Sequence, residues 1–374
     1  MKPIQMVDLK TQHDKLQPEL NNKILEVVES TAYIKGEEVS LFEQELAEYL
    51  GVKHVIACAN GTDALQLAMM ALGLKSGDEV ITANFTYVAT AEIIALLKLK
   101  PVLVDVDPKT FNIDIQALKN AITPKTKAIV PVHLFGQCAD MEPILELAKK
   151  HNLYVVEDTA QSLSAKYFFS NGTAKMAGTI GDIGTTSFFP SKNLGCMGDG
   201  GALFTNNDEL ALKLKMIANH GQSRTYYHDL VGVNSRLDSI QAAVLRIKLR
   251  QLNNYSVNRY NAAQYYNELL ENVDAIQAPF EAVNSTHVFH QYVLKTKGID
   301  RDKLKSYLLE NNVPCNIYYP VPLNKQKAYL DLDSEYPVTE SLCKEVIALP
   351  IHTELQKEQQ DYIVSKIKEF INEN

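Results

Sequence analysis

The sequence is poor in the features that mark several protein classes. It has five cysteines (Cys58, Cys138, Cys196, Cys315, Cys343), none in a CxxC pair. Their odd number and irregular spacing argue against a disulfide framework and against a zinc site, so no metal is expected. No run of eighteen apolar residues occurs, and the start, MKPIQMVDLK, lacks the apolar segment of a signal peptide. No internal repeat or low-complexity tract is visible. Charges of both signs are interspersed and sum to −8, which is no nucleic-acid footprint. An anionic substrate would therefore be held by local cations. What remains is a chain of 374 residues, 46% hydrophobic, able to bury a sizeable core in a large and a smaller domain. The expectation is a cytoplasmic protein with no membrane and no nucleic-acid partner.

Apolar spacing predicts helices over Leu16–Ser30 and Leu41–Leu50, with an aromatic turn, Tyr33-Ile34-Lys35-Gly36, between them. Strand and helix patterns then alternate from His54 to Asp158, which predicts a mostly parallel sheet wrapped by helices. Ligands of such sheets sit beyond the carboxyl ends of the strands, where Asn60, Thr62, Tyr87, His133 and Asp158 fall. Asn60-Gly61-Thr62-Asp63, between a strand and a helix start, offers free N–H groups, a helix dipole and a hydroxyl to an anion. A simple helix cap at Asn60 or Thr62 is the plainer alternative. Asp158 closes an apolar strand, where a carboxylate needs a partner: a salt bridge, a helix cap or a protonated ring nitrogen.

The stretch TTSFFPSKNLGCMGDGGA (Thr185–Ala202) places Lys192 in a Gly-rich turn between two strands. Such a lysine suits an amine whose pKa is lowered and which condenses with an aldehyde cofactor. One long helix is expected from Asp238 past Asn258, with a boundary near residue 250 dividing a large domain (1–250) from a small α/β domain (251–374). Patterns alternate again over Phe289–Lys295, Asp300–Asn311, Cys315–Tyr319, Glu340–Ala348 and Lys357–Asn372.

A helix-start anion site, an aromatic, a strand-end aspartate and a lysine match the phosphate, ring, ring nitrogen and aldehyde of pyridoxal 5′-phosphate. Seven segments in order carry a family resemblance: ANGTDAL, FTYVATAE, VHLFGQCADM, VVEDTAQS, SFFPSKNLGCMGDGGA, HGQSRTYYH and GVNSRLDSIQAA. Over essentially its whole length the chain resembles the DegT/DnrJ/EryC1 sugar aminotransferases, which implies the α/β fold-type I architecture of pyridoxal phosphate enzymes. The resemblance implies that Lys192 carries the cofactor and moves the proton, and that Asp158 pairs with its ring nitrogen. It further implies Gln161 near the ring hydroxyl and Tyr87 on the ring face. Gly61, Thr62 and Ser187 would hold the phosphate, with Asn234 reaching it from the second subunit of a homodimer.

The subgroup most resembled acts on UDP-2-acetamido-2-deoxy-3-keto-hexuluronate, with L-glutamate as donor and 2-oxoglutarate as by-product, for surface polysaccharide such as O-antigen or capsule. A uronate needs a cation. Arg236 is the expected carboxylate ligand, with Arg224 a further candidate, and a surface ion pair is the alternative for both. Tyr318-Tyr319-Pro320 stands where the family usually has His-Tyr-Pro near the sugar, and Lys35-Gly36-Glu37 replaces Leu-Gly-Pro beside Tyr33. Both departures bear on the sugar pocket. Rival readings are a 4-keto sugar on UDP or dTDP, a dehydratase of the same fold (against which Lys192 speaks), and a non-catalytic regulator. His54, His151, His287 and His290 read as structural or exposed, His133 as satisfied by backbone. Cys196, with no base beside it, is not taken as a nucleophile.

Overall fold

The computed structural model describes residues 2–329 and 334–373. Helices α1 (Leu9–Lys15), α2 (Glu19–Ser30) and α3 (Glu37–Leu50) lead into strand β1 (His54–Cys58) and helix α4 (Gly61–Ala71). The helix expected from Leu16 begins only at Glu19, because Pro18 supplies no N–H and fits the position just before a first turn. There follow β2 (Glu79–Ala83), α5 (Ala89–Leu96), β3 (Lys100–Val104), α6 (Ile115–Ala121), β4 (Thr126–Val130), α7 (Met141–His151) and β5 (Tyr154–Asp158). A short hairpin, β6 (Lys166–Phe168) with β7 (Ala174–Met176), precedes β8 (Ile183–Ser187), β9 (Gly201–Thr205) and α8 (Asp208–Ile217).

These strands form one seven-stranded sheet in the order β1-β9-β8-β5-β4-β2-β3. Strands β3, β2, β4, β5 and β8 run parallel, whereas β9 is antiparallel to both β8 and β1. Successive side chains of a strand face opposite ways, and both faces are apolar. Val80, Ala128, Val130 and Val156 pack with residues of α4, α5 and α8. Ile81, Ile129 and Val155 pack on the other side with Leu118 of α6 and Met141 and Ile144 of α7. Burial on both faces is why these strands read as continuous apolar runs. The reversal of β9 fixes the site's location. Its start lies at the same end of the sheet as the carboxyl ends of β5 and β8, so the Lys192 connection spans that end.

A second hairpin, β10 (Gln222–Arg224) with β11 (Tyr227–His228), precedes α9 (Ser239–Leu249) and α10 (Leu252–Leu270). The single helix expected here is two, because Gln251 N–H bonds to Lys248 C=O at 2.9 Å in a tighter turn. The remainder is β12 (Ile276–Gln277), β13 (Tyr292–Thr296), α11 (Arg301–Glu310), α12 (Pro337–Glu345), β14 (Val346–Leu349) and α13 (Lys357–Glu373). Strands β12, β13 and β14 make a three-stranded sheet backed by α10, α11 and α13, with a core including Ala263, Leu304, Leu308, Ile363 and Ile367. Cys315–Tyr319 forms only one bridge, Asn316 to Ala348, rather than the expected strand; Pro314 and Pro320 deprive its ends of donors. Residues 340–348 split into helix up to Glu345 and strand from Val346. Gln359 Nε2 bonds the Lys2 and Pro3 carbonyls, so the first residues lie on this C-terminal part and not on the large sheet. No helix among the described residues is long and apolar enough to cross a membrane.

Candidate active site

The anion cradle forms where β1 gives way to α4. Asn60 is extended and caps the helix, its Oδ1 accepting Asp63 N–H at 2.8 Å. The first N–H groups of a helix have no partner within it, so those of Gly61 and Thr62 are free to meet an anion. Gly61 lies against Ser187, the last residue of β8. A Cβ there would sit 2.7 Å from Ser187 Cβ, so only glycine lets the two segments approach. The Ser187 hydroxyl accepts Phe189 N–H at 3.2 Å and borders this space. Cap and cradle thus coexist: Asn60 caps, while Gly61, Thr62 and Ser187 line the opening.

The β8–β9 connection is tied at both ends by Phe188 N–H to Gly200 C=O (2.7 Å) and Cys196 N–H to Phe188 C=O (2.8 Å). Lys192 N–H closes a turn onto Phe189 C=O (2.8 Å), and Asn193 Nδ2 donates to Val288 C=O at 3.1 Å. The Lys192 side chain is half-buried, and its Nζ forms no hydrogen bond or ion pair among the described residues. Burial pulls its pKa down to about 8, against a smaller opposing pull from the Asp158 charge. Asp158, 7% exposed, receives Thr90 Oγ1 on Oδ2 at 3.0 Å and Ala160 N–H on Oδ1 at 3.1 Å. No cationic side chain among the described residues lies within salt-bridge distance of it. A buried carboxylate without a cation is costly. Its charge acts on the free Lys192 amine, and a ligand with a positive ring nitrogen would supply the missing partner.

Gln161 is oriented by its neighbours. Phe135 N–H donates to its Oε1 at 2.8 Å, so its Nε2 faces and donates to the Tyr319 hydroxyl at 3.1 Å. Burial pushes the Tyr319 phenol well above its usual pKa, so it stays neutral. The Tyr319 ring packs on Phe85 (5.9 Å between centroids) and Tyr87 (6.5 Å). Tyr87 itself is 58% exposed. The structure therefore brings Gly61, Thr62 and Ser187 together and joins Tyr87 and Gln161 to Tyr319, with Tyr318 beside it at 6.0 Å between centroids, while the Asp158 charge reaches both Tyr319 and Lys192. These residues fit pyridoxal 5′-phosphate: a glycine-only cradle for phosphate, an unpaired buried carboxylate and an unbonded amine.

The other candidates make contacts of their own, with Ser235, between Asn234 and Arg236, accepting Ala59 N–H at 3.1 Å. Arg236 Nε donates to Asn234 Oδ1 at 2.8 Å, with Asn234 exposed. The Arg224 guanidinium lies 3.7 Å from the centre of the exposed Tyr227 ring. Tyr33, 43% exposed, donates from its hydroxyl to Val28 C=O at 3.1 Å. Residues given no role from sequence also belong here. Thr90 holds Asp158, and Phe135, at φ 58°, aims its N–H at Gln161. Thr90 lies within FTYVATAE and Phe135 within VHLFGQCADM, but no side-chain chemistry marks Phe135, which acts through its N–H.

His133 accepts Ala139 N–H on Nδ1 (3.0 Å), which leaves Nε2–H to donate to the buried Glu157 (2.9 Å). It is satisfied by a carboxylate as well as by backbone. Cys196 Sγ donates to the Phe188 and Gly198 carbonyls, and burial raises its pKa to about 11, in keeping with an inert thiol.

A model of the "DegT/DnrJ/EryC1/StrS aminotransferase family" matches residues 14–368. The "Pleiotropic regulatory protein" of Geobacillus stearothermophilus is 45% identical over 98% of this chain and 98% of its own length. The "UDP-2-acetamido-2-deoxy-3-oxo-D-glucuronate aminotransferase" of Pseudomonas aeruginosa is 47% identical over 93% of this chain and 95% of its own. Further relatives are named as transaminases of dTDP-linked sugars. Among solved structures, a DegT DnrJ EryC1 StrS aminotransferase from Brucella abortus superposes with a TM-score of 0.93 at 41% identity, covering 98% of this chain and 99% of that one.

Proposed function

Since the chain belongs to the DegT/DnrJ/EryC1/StrS family, and is a pyridoxal 5′-phosphate-dependent sugar aminotransferase, we propose that its substrate is UDP-2-acetamido-2-deoxy-3-keto-hexuluronate. L-Glutamate is the donor, 2-oxoglutarate the by-product, and the amino sugar feeds a surface polysaccharide from the cytoplasm. Residues 1–250 act as the cofactor domain, apart from Lys2 and Pro3, which lie on the smaller part, 251–374.

The observation that carries the uronate reading is Arg236. Its Nε is held by Asn234, while its terminal nitrogens form no ion pair among the described residues. A guanidinium held from one side presents its remaining donors as a fork for a carboxylate. Because Asn234 and Arg236 are paired at the surface, we assign them to the neighbouring site of a homodimer.

In this reading Gly61, Thr62 and Ser187 hold the phosphate, Asp158 the ring nitrogen, and Gln161 the side of the ring hydroxyl, while Tyr87 covers the ring. The bound cofactor supplies an aldehyde that carries nitrogen between substrates and a ring that accepts electrons. Lys192 takes and returns the proton at Nζ. An amine titrating near pH 8 is neutral in a useful fraction of molecules at neutral pH, as a general base requires. Tyr319 and Tyr318 contact the sugar, and Tyr33 and Arg224 flank the entrance.

The test is a panel of UDP- and dTDP-linked keto sugars, acidic and neutral, with the amine position read by NMR. The 3-keto uronate should turn over fastest, and Arg236→Ala should weaken acidic substrates far more than neutral ones. Equal losses on both would retire the uronate. A regulator is the second reading, favoured by the name of the Geobacillus relative. Absence of turnover with every sugar, despite bound cofactor, would support it.

A further inference from the structure

His290 stands apart from the other buried histidines. The segment that carries it is locked in place. Val288 N–H bonds Gly136 C=O at 2.8 Å, Gln291 N–H bonds Phe135 C=O at 3.2 Å, and Asn193, next to Lys192, donates to Val288 C=O. Arg259 Nη1 donates to the carbonyls of Phe289 (3.2 Å) and His290 (3.4 Å). The loop opposite is equally tight, since a Cβ on Gly136 would come within 2.9 Å of His290 N. The imidazole is 5% exposed, and its Nδ1 has no hydrogen-bond partner.

The charged groups that reach this ring are Lys192 and Arg259, both cationic; Asp158 acts on Lys192. Burial and these two neighbours drive the imidazole well below its usual pKa, so it stays neutral. A neutral imidazole keeps one lone pair to accept with. Beside it, the Lys192 amine donates to nothing among the described residues. A donor without an acceptor and a ring nitrogen without a partner thus lie in one buried neighbourhood, their segments tied by the Asn193–Val288 bond, where unpaired polar groups are expensive.

We propose that His290 is a positioning residue for Lys192: its neutral imidazole accepts a hydrogen bond from the amine once that amine is released from the cofactor. The lysine stem is flexible, and one fixed acceptor confines its rotation while the amine works. The proton balance is simple. Nζ takes the proton from the substrate carbon and becomes an ammonium, then gives the proton to the receiving carbon. His290 neither gains nor loses one.

The test compares cofactor-loaded His290→Leu and His290→Gln with the parent. In single turnovers with L-glutamate deuterated at Cα, the leucine variant should load cofactor normally. Its donor half-reaction should slow by about tenfold, the equivalent of one neutral hydrogen bond. Its deuterium isotope effect should rise as proton transfer becomes limiting, and glutamine, which retains an acceptor, should recover most of the rate. This arm rests on glutamate as the donor.

A second arm does not: uptake of pyridoxal 5′-phosphate by cofactor-free protein, followed against pH, titrates the Lys192 amine directly. Losing an acceptor removes support for the ammonium form, so the uptake midpoint of the leucine variant should move to lower pH, with glutamine in between. If the leucine variant fails to fold, the glutamine variant and its uptake profile decide. A parental isotope effect and a parental uptake midpoint in the folded leucine variant would overturn the proposal, as would a parental uptake midpoint in the glutamine variant where leucine does not fold; a packing role alone would leave these values unmoved.

Discussion

Lys192 is kept at a cost to the fold. Its pKa in the folded chain is about 8 against the usual 10.5, so between those values the unfolded chain binds more protons. The cofactor-free protein is therefore least favoured below pH 8 and gains stability as pH rises through 8 toward 10.5. Lys192→Met should abolish the visible absorbance of the loaded protein. In urea titrations of the cofactor-free form it should also stabilise, by on the order of 3 kcal/mol below pH 8, with the gain gone by 10.5. A persisting band would remove Lys192 from its role. Asp158→Asn keeps the bonds from Thr90 and Ala160 possible but cannot hold a positive ring nitrogen. It should retain cofactor and lower kcat by about two orders of magnitude, and near-parental turnover would make the carboxylate purely structural.

At this scale the sequence was informative wherever chemistry demands one residue type, as at Lys192, Asp158 and Gly61. It was silent where a main-chain group does the work. Phe135 enters through its N–H, and His290 through its surroundings, which the local sequence does not display.

At the scale of elements, the approach of α4 to β8 depends on one missing side chain. Gly61→Ala would place a methyl 2.7 Å from Ser187 Cβ and push the cradle open. Cofactor affinity should fall at least tenfold, roughly the loss of one phosphate hydrogen bond, and the cofactor-free form should lose about 1–3 kcal/mol of stability as the two segments part. Equilibrium dialysis against pyridoxal 5′-phosphate measures it. The central strands and their helices were legible because burial on both faces gives unbroken apolar runs. The hairpins β6–β7 and β10–β11 were not: their strands are short and largely exposed, so no apolar pattern marks them. The break between α9 and α10 leaves no mark in the sequence, because neither proline nor glycine causes it.

At the scale of the whole molecule, the assignment of Asn234 and Arg236 to the neighbouring site makes a clean test of a shared active site. Lys192→Ala and Asn234→Ala proteins should each be nearly inactive. Mixed, unfolded and refolded together, they should regain activity, because a hybrid dimer carries one site with neither lesion. Failure to complement, with hybrids verified by mass, would return Asn234 to a role on its own chain. The order of segments pointed to the architecture, but the return of residues 2 and 3 onto α13 did not show in the sequence, since it rests on main-chain carbonyls.

The hydrogen bond from Gln161 to Tyr319 spans 158 residues of chain and fastens the C-terminal part to the floor of the large sheet. In the proposed reading Gln161 also borders the chromophore, so colour becomes a gauge of assembly. Preparations in which the last third of the chain has come loose will be pale even while their circular dichroism looks intact, and a yellow fraction on a column marks molecules whose two ends have both found their places.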